Sequence, residues 1–298
     1  MMPNFFLNAP LGPTEINLSQ AFKRQGWQQK SGGSLFKNDN LLSDNSLSVF
    51  EHKHRLHAWL QKNKLNISPK TVILDELTLH KTLNALSTSH QVGPWILKPA
   101  LLNNGHGIRL FYDLAEVAAY FQQNDRYSGL YVLQAYLANP MLWQKRKFSL
   151  RMFVVLSHKR LYIHSEGYLN VCKTPYCLDD LTNLNAHLTN EHLCLNGANN
   201  NEQMSTSDWP RFHEFMPEIK RQCEHVFLPF VLEQSLAKNT FGILGVDFML
   251  DDKKRLWLLE VNHGPCFPTN NTHPLYESLY EPLWDKVVEE IDQCSQTP

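Results

Sequence analysis

The spacing of apolar residues changes several times along this 298-residue chain, and each change marks a new element. From 51 to 62, EHKHRLHAWLQK sets Leu56, Trp59 and Leu60 at helical spacing. Pro69 then introduces TVIL as a strand, 75 to 90 reads as a helix, and Pro94 introduces the strand WILKP. A Gly/Asn-rich turn, LLNNGHG, leads to the short strand IRLFY. DLAEVAAYFQQ predicts a helix capped by Asp113, and LYVLQAYL closes this unit as a strand. Beyond Pro140 the period becomes two: KFSLRMFVVLS and RLYIHSEGYLNV predict antiparallel strands joined at His158-Lys159. Residues 178 to 209 are polar and Asn-rich, and NGANNNEQMSTSD is expected to be mobile or disordered. A long helix is predicted over about 209 to 238, two strands over GVDFML and LWLLEVN, and a last helix over about 277 to 294. Residues 1 to 50 read as loop-rich, with Gly32-Gly33 and Asp39-Asn40 as turn signals, and are expected to form a small N-terminal lobe.

Chemistry concentrates near the end of this pattern. Asp247 closes one apolar run and Glu260-Val261-Asn262 another, across the polar turn Asp251-Asp252-Lys253-Lys254. On a strand, Glu260 and Asn262 project to one face, where Asp247 of the preceding strand can meet them. Three oxygen ligands on adjacent strands suit a hard cation such as Mg2+, which takes few protein ligands and completes its shell with phosphate and water. A buried hairpin with mutually paired polar groups fits the same pattern.

Other segments carry candidate chemistry, each beside an ordinary alternative. Lys98 ends WILKP directly before the turn holding Gly105 and Gly107. A flexible loop whose N–H groups fold over phosphates, with a strand lysine beside it, suits a nucleotide, and a hairpin turn with a surface lysine is the alternative. Gln134-Ala135-Tyr136-Leu137 runs into Asn139-Pro140. Such a strand end offers unpaired backbone groups to a purine edge with Leu137 against the ring, or it is an edge strand stopped by Pro140. KFSLR sets Lys147, Ser149 and Arg151 on one strand face and Phe148, Leu150 and Met152 on the other. Two cations flanking a hydroxyl suit charge developing on a transferred phosphoryl group, and a solvated face is the alternative. His187-Leu188-Thr189-Asn190 follows a turn-forming stretch and says little alone.

Composition narrows the classes without choosing among them. Lysine and arginine number 28 against 29 acidic residues, so net charge gives no reason to expect nucleic acid or a membrane surface as partner. No apolar stretch approaches the roughly 20 residues of a membrane span. The stretch MMPNFFLNAPLGPTEINL lacks the basic start and apolar core of a secretory signal. The cysteines (Cys172, Cys177, Cys194, Cys223, Cys266, Cys294) are scattered without a CxxC, as expected of reduced thiols in a cytoplasmic protein. HKHRLH at 52 to 57 has no Cys or carboxylate companions at zinc-ligand spacing.

Taken in order, these segments resemble the tubulin tyrosine ligase-like family of the ATP-grasp superfamily. The matching stretches are WILKPALLNNGHGI, LQAYLANPMLWQKRKFSLR, LYIHSEGYL, HLTN, FGILGVDFMLD and LWLLEVNHGPC, with HKHRL a fainter match, together covering roughly 50 to 293. The resemblance implies an α+β ATP-grasp fold with an N-terminal lobe over 1–50, a central domain over 51–137 and a C-terminal domain over 138–298. The nucleotide is then expected between two mostly antiparallel sheets. The resemblance further implies phosphate contacts from Lys53, Lys98, Gly105 and Gly107, and adenine contacts from Gln134 and the backbone of Ala135 and Leu137. Lys147 and Thr189 would reach the nucleotide, Arg151 would face the γ-phosphate and an acyl phosphate, and Asp247, Glu260 and Asn262 match the family's magnesium ligands.

Two departures from the family pattern bear on the substrate. Ser149 stands where the family usually has the Asp that contacts ribose, though a hydroxyl still hydrogen-bonds. Asn170 stands where its amino-acid ligases usually carry Arg, which removes bidentate carboxylate recognition and leaves Lys173 as the nearest cation. Asn170, Lys173 and Asn190 are therefore candidates for a substrate pocket. The function implied is an ATP- and Mg2+-dependent carboxylate–amine ligase. It would join a free amino acid to a protein acceptor through an acidic side chain or a C-terminal carboxylate. A nucleotide-binding pseudoenzyme serving as scaffold, and an ATP-grasp ligase for small molecules, are the alternatives.

Overall fold

The computed structural model describes residues 2–88, 93–190, 194–195, 198–233 and 240–296. Strands β1 (Asn4–Phe6), β2 (Gln28–Gln29) and β3 (Phe36–Lys37) pair in parallel, with α1 (Pro13–Arg24) between β1 and β2. This segment was expected to be mostly loop. Its apolar pattern is sparse, with only Leu18, Ala21 and Phe22 as buried hydrophobics of α1. End signals define the helix instead: Pro13 in the first turn, the Glu15 carboxylate accepting from Gly12 N–H at 3.1 Å, and Lys23 and Arg24 in the last turn. Phe22 packs on Phe5, Trp27 and Phe36.

Helices α2 (Asp44–Glu51) and α3 (Lys53–Lys62) follow. As the spacing predicts, α3 buries Leu56, Trp59 and Leu60, and Trp59 Nε1 donates to the Val226 carbonyl at 2.9 Å. Next comes an antiparallel sheet of β4 (Thr71–Leu74), β5 (Trp95–Pro99), β6 (Arg109–Phe111) and β7 (Tyr131–Ala135), ordered β4-β7-β5-β6. Helices α4 (Leu79–Ser87) and α5 (Leu114–Tyr120) are inserted along it, and Asp113 caps α5 by accepting from Glu116 N–H at 2.9 Å. Alternation along β5 decides what each face meets. Trp95 and Leu97 join Leu83, Val117 and Tyr131 in a core under the helices, while Ile96 and Lys98 turn the other way.

The larger sheet contains β8 (Leu142–Trp143), β9 (Arg146–Ser157), β10 (Arg160–Pro175), β13 (Asn201–Ser205), β14 (Phe241–Leu250) and β15 (Leu256–His263). Its order is β13-β10-β9-β14-β15, with β8 beside β9 and every pair antiparallel. Between β10 and β13 lie α6 (Leu184–His187) and a small ribbon of β11 (Cys194–Leu195) and β12 (Ala198–Asn199). The expectation of disorder fails for β13, which pairs with β10 from Tyr168↔Ser205 to Cys172↔Asn201, so backbone pairing orders a polar segment. Residues 191–193 and 196–197 of that stretch lie outside the described residues, as do 234–239 of the long helix expected next. That helix is α7 (Met216–Glu233), preceded by short 3-10 turns, and α8 (Glu281–Gln296) is the last. Among the described residues no helix is long and apolar enough to cross a membrane.

The two faces of the large sheet differ. Phe148, Leu150 and Met152 of β9 and Leu244, Val246 and Phe248 of β14 pack with α2, α3 and α7 in the main core. On the opposite face, Phe153, Val155, Phe241 and Ile243 are covered by α8 residues such as Trp284 and by Phe5, Phe22 and Phe36. Each fully buried Phe or Leu here contributes roughly 1.5–3 kcal/mol of transfer free energy. That second face turns polar midway along both strands, at Lys147, Ser149 and Arg151 on β9 and at Asp247 on β14. The site begins where the apolar cover ends.

Candidate active site

A cavity of about 270 Å³ opens between the four-stranded and six-stranded sheets. Ile96, Lys98 and Gln134 to Leu137 line one wall, and Lys147, Ser149, Arg151, Asn170, Asp247, Glu260 and Asn262 line the other. Leu188, Thr189 and Asn190 reach it from beyond α6. Thirteen of the seventeen positions singled out in the sequence therefore share one cavity. The four others are Lys53, which lines a smaller recess shared with Lys98 and Gln134, Gly105 and Gly107, which shape the turn, and Lys173, which lies exposed on β10.

Strand register places the polar residues in rows. Glu260 stands opposite Asp247, Asp247 opposite Arg151, Arg151 opposite Tyr168, and Tyr168 opposite Ser205. One step along, Ser149 stands opposite Asn170 and Asn170 opposite Gln203. The charged row depends on an irregularity. Asp247 pairs with Glu260, yet the next residue, Phe248, pairs with Leu258, so Leu259 is bulged. Leu256, Leu258 and Val261 thereby face the main core while Glu260 and Asn262 line the cavity.

Arg151 Nε donates to Asp247 Oδ1 at 2.5 Å and its Nη2 to Oδ2 at 2.8 Å. Asn262 Nδ2 donates to Asp247 Oδ2 at 3.0 Å and to Glu260 Oε1 at 3.5 Å. A Cβ at Gly245 would lie 3.0 Å from the Arg151 side chain, so glycine there leaves the guanidinium its room. Across the cavity, Lys98 Nζ donates to Gln134 Oε1 at 3.1 Å, and Gln134 Nε2 to Thr71 Oγ1 at 2.9 Å. Lys53 Nζ donates to the Leu102 carbonyl at 2.6 Å, tying α3 to the glycine turn, whose Asn103 and Asn104 line the cavity. The N–H groups of Ala135 and Tyr136 donate to the carbonyls of Lys70 and Pro94, at 2.8 and 3.0 Å. Leu137 lies past the end of β7 and lines the cavity.

Burial dominates the electrostatics. It pushes the Lys98 ammonium down to about 8 and that of Lys147 down to about 7. Burial also drives the Asp247 carboxyl upward against the pull of Arg151. For Glu260 burial acts in the same sense, but Lys53, Lys98 and Arg151 together hold it below the usual carboxylate range. An anionic ligand with several charges can offset this cluster of buried cations. A hard divalent cation fits the opposite end, where the donors of Asp247, Glu260 and Asn262 are all oxygens. Among the described residues no group of three His, Cys, Asp or Glu side chains could hold a metal, so a cation at this end would need the Asn262 amide oxygen as well.

Sequence reasoning assigned no role to Tyr136 or His187, although both lie inside quoted motifs. His263 and Cys266, directly after the E-x-N segment, also line the cavity. Their signal was proximity alone.

The fold and cavity define an α+β protein of ATP-grasp type. The model of the Tubulin-tyrosine ligase family matches residues 36–298, and the chain belongs to that family. It is similar to the probable tubulin polyglutamylase TTLL2 of Homo sapiens, 28% identical over 201 residues, which is 61% of this chain and 32% of that protein. Tubulin glycylase 3B of Tetrahymena thermophila is 24% identical over 216 residues, 65% of this chain and 18% of that protein. Protein polyglycylase TTLL10 of Macaca fascicularis is 27% identical over 266 residues, 77% of this chain and 42% of that protein. The chain thus spans less than half the length of these relatives.

Proposed function

We propose that this chain is an ATP-dependent carboxylate–amine ligase that joins an amino acid to a carboxylate of a protein acceptor. The observation that carries the reading is the row Glu260, Asp247, Arg151, which sets two carboxylates directly beside a guanidinium in one cavity. Asp247, Glu260 and Asn262 would hold Mg2+, which would supply positive charge against the phosphates of ATP. Lys98 and Lys147 hold the phosphates from opposite walls, and Leu137 packs on the base. Arg151 stabilises the charge that develops as the acceptor carboxylate oxygen attacks the γ-phosphorus and ADP leaves. The amine of the second substrate then attacks the acyl carbon, loses a proton and expels phosphate, leaving an amide.

The relatives' names point to glutamate or glycine as the added group. Phosphate release is to be measured with Mg-ATP and glutamate, glycine or tyrosine, with and without tubulin-tail peptides. Release that requires both glutamate or glycine and an acidic peptide is expected. Release with free amino acids alone would make the chain a small-molecule ligase, and no release with any pair would make it a pseudoenzyme.

A further inference from the structure

Tyr136, Lys147 and His187 form a hydrogen-bonded chain in the cavity wall. Tyr136 follows β7, Lys147 lies on β9 and His187 ends α6, so the chain ties the two sheets together at one end of the cavity. Lys147 Nζ lies 2.8 Å from Tyr136 Oη, Tyr136 Oη lies 2.8 Å from His187 Nδ1, and His187 Nε2 lies 2.8 Å from the Asp180 carbonyl oxygen. All three side chains are buried, at 3%, 7% and 2% exposure for Lys147, Tyr136 and His187.

The chemistry sets the direction of every bond. A carbonyl only accepts, so His187 Nε2 carries the proton and Nδ1 of the neutral ring presents a lone pair. The single hydroxyl proton of Tyr136 is therefore directed at Nδ1, and the Tyr136 oxygen accepts from Lys147, whose nitrogen carries protons to donate in either charge state. Burial lowers the His187 imidazole and drives the Tyr136 phenol upward, which keeps the first neutral and the second protonated. Lys147 Nζ also lies 4.1 Å from the Tyr136 ring centroid.

We infer that Tyr136 and His187 are positioning residues for the nucleotide, fixing the Lys147 ammonium at the cavity wall and acting on binding through it. A lysine on a flexible four-carbon stem would otherwise lose rotamer freedom at the moment of binding, and the anchor removes that loss beforehand. The inference rests on the proposed nucleotide site.

The test is a double-mutant cycle on the full chain, read by calorimetric titration with Mg-ATP. Tyr136→Phe keeps the ring and removes only the hydroxyl, and unchanged near-UV circular dichroism is its folding control. Its Kd is expected to rise on the order of tenfold, with KM for ATP rising far more than kcat falls. Lys147→Met should raise Kd at least as much, and adding Tyr136→Phe to Lys147→Met should change nothing further. His187→Gln, which can restore one of the two bonds, should fall between wild type and His187→Ala. An unchanged Kd in Tyr136→Phe, or an equal penalty in the Lys147→Met background, would overturn the inference. A wild type that binds no Mg-ATP would overturn the nucleotide site itself, a result distinct from both.

Discussion

Arg151 grips Asp247 through both carboxylate oxygens, at 2.5 and 2.8 Å, in the middle of the row that runs from Glu260 to Ser205. Each group neutralises the other in a buried setting where either alone would be costly. The same two residues stand at the two jobs proposed for the site, cation binding and phosphoryl stabilisation. The fork therefore preorganises the guanidinium beside the place proposed for the γ-phosphate.

Arg151→Ala is expected to act twice. Removing one partner of a buried pair destabilises the fold by about 3–5 kcal/mol, readable in urea unfolding. Losing a contact that strengthens in the transition state lowers kcat and kcat/KM alike, on the order of 3 kcal/mol. Arg151→Lys keeps charge without the fork and should recover more stability than rate. An unchanged kcat with a raised KM would assign Arg151 to ground-state binding instead.

Glu260→Gln should abolish turnover and Mg2+-dependent ATP binding while leaving the protein folded. The substitution conserves volume but removes the charge that Lys53, Lys98 and Arg151 stabilise. Thermal-shift titration with ATP, with and without Mg2+, checks it. A variant that retains the wild-type Mg2+-dependent shift would remove Glu260 from the cation site.

The buried lysines make stability and binding run oppositely with pH. Lys98 and Lys147 titrate near 8 and 7 in the folded chain, against about 10.4 when unfolded. Between those values the unfolded chain binds more protons, so ligand-free stability should rise with pH from about 7 to 9. Bound phosphates need both ammonium groups charged, so ATP affinity should fall over the same window. Melting curves and calorimetry at several pH values test both slopes, and the rise in stability should shrink in Lys147→Met. Parallel slopes would contradict the argument.

The bulge at Leu259 offers a test of the fold. Were Leu259 paired in strict alternation, Glu260 would share a face with Leu256 and Leu258, which pack in the main core at 3% and 1% exposure. Deleting Leu259 removes the surplus residue, and strict alternation then keeps Leu258 and Val261 on the core face and Glu260 and Asn262 on the cavity face. The variant is therefore expected to keep cooperative melting. Loss of cooperative melting would show that the bulge itself, and not the facing of these side chains, holds the strand in place.

What the sequence reveals and conceals follows from the same strand. Spacing set Glu260 and Asn262 on one face, since the bulge precedes both. Period-two patterning located β9 because its face of Phe148, Leu150, Met152, Val154 and Leu156 is continuously apolar, and β10 despite a break in register between Ile163 and Gly167. Periodicity could not show that the apolar start of β15 and Glu260 face opposite ways, because a bulge leaves no compositional mark. Helix α1 escaped because few of its residues are buried, and β13 because its order comes from pairing with β10 rather than from apolar content. The Tyr136–His187 contact joins residues 51 positions apart and has no local signature.

The final prediction concerns the substrate. Asn170 is 3% exposed, lines the cavity, and leaves its Oδ1 without a hydrogen-bond partner, while Lys173 on the same strand is exposed and outside the cavity. An amide can accept or donate hydrogen bonds but cannot neutralise a carboxylate, and a partly unpaired charge in a closed site costs on the order of 2 kcal/mol or more. The chain should therefore be a poor tyrosine ligase on detyrosinated tubulin, and any other amino acid it adds must find the counter-charge for its carboxylate elsewhere in the cavity. Lys173→Ala should leave amino-acid selectivity unchanged, because that ammonium is not at the cavity. Incubation with detyrosinated tubulin, tyrosine and Mg-ATP, read by mass spectrometry of the tail, decides the matter. Efficient tyrosine incorporation would show that the neutral amide at Asn170 does not set the substrate.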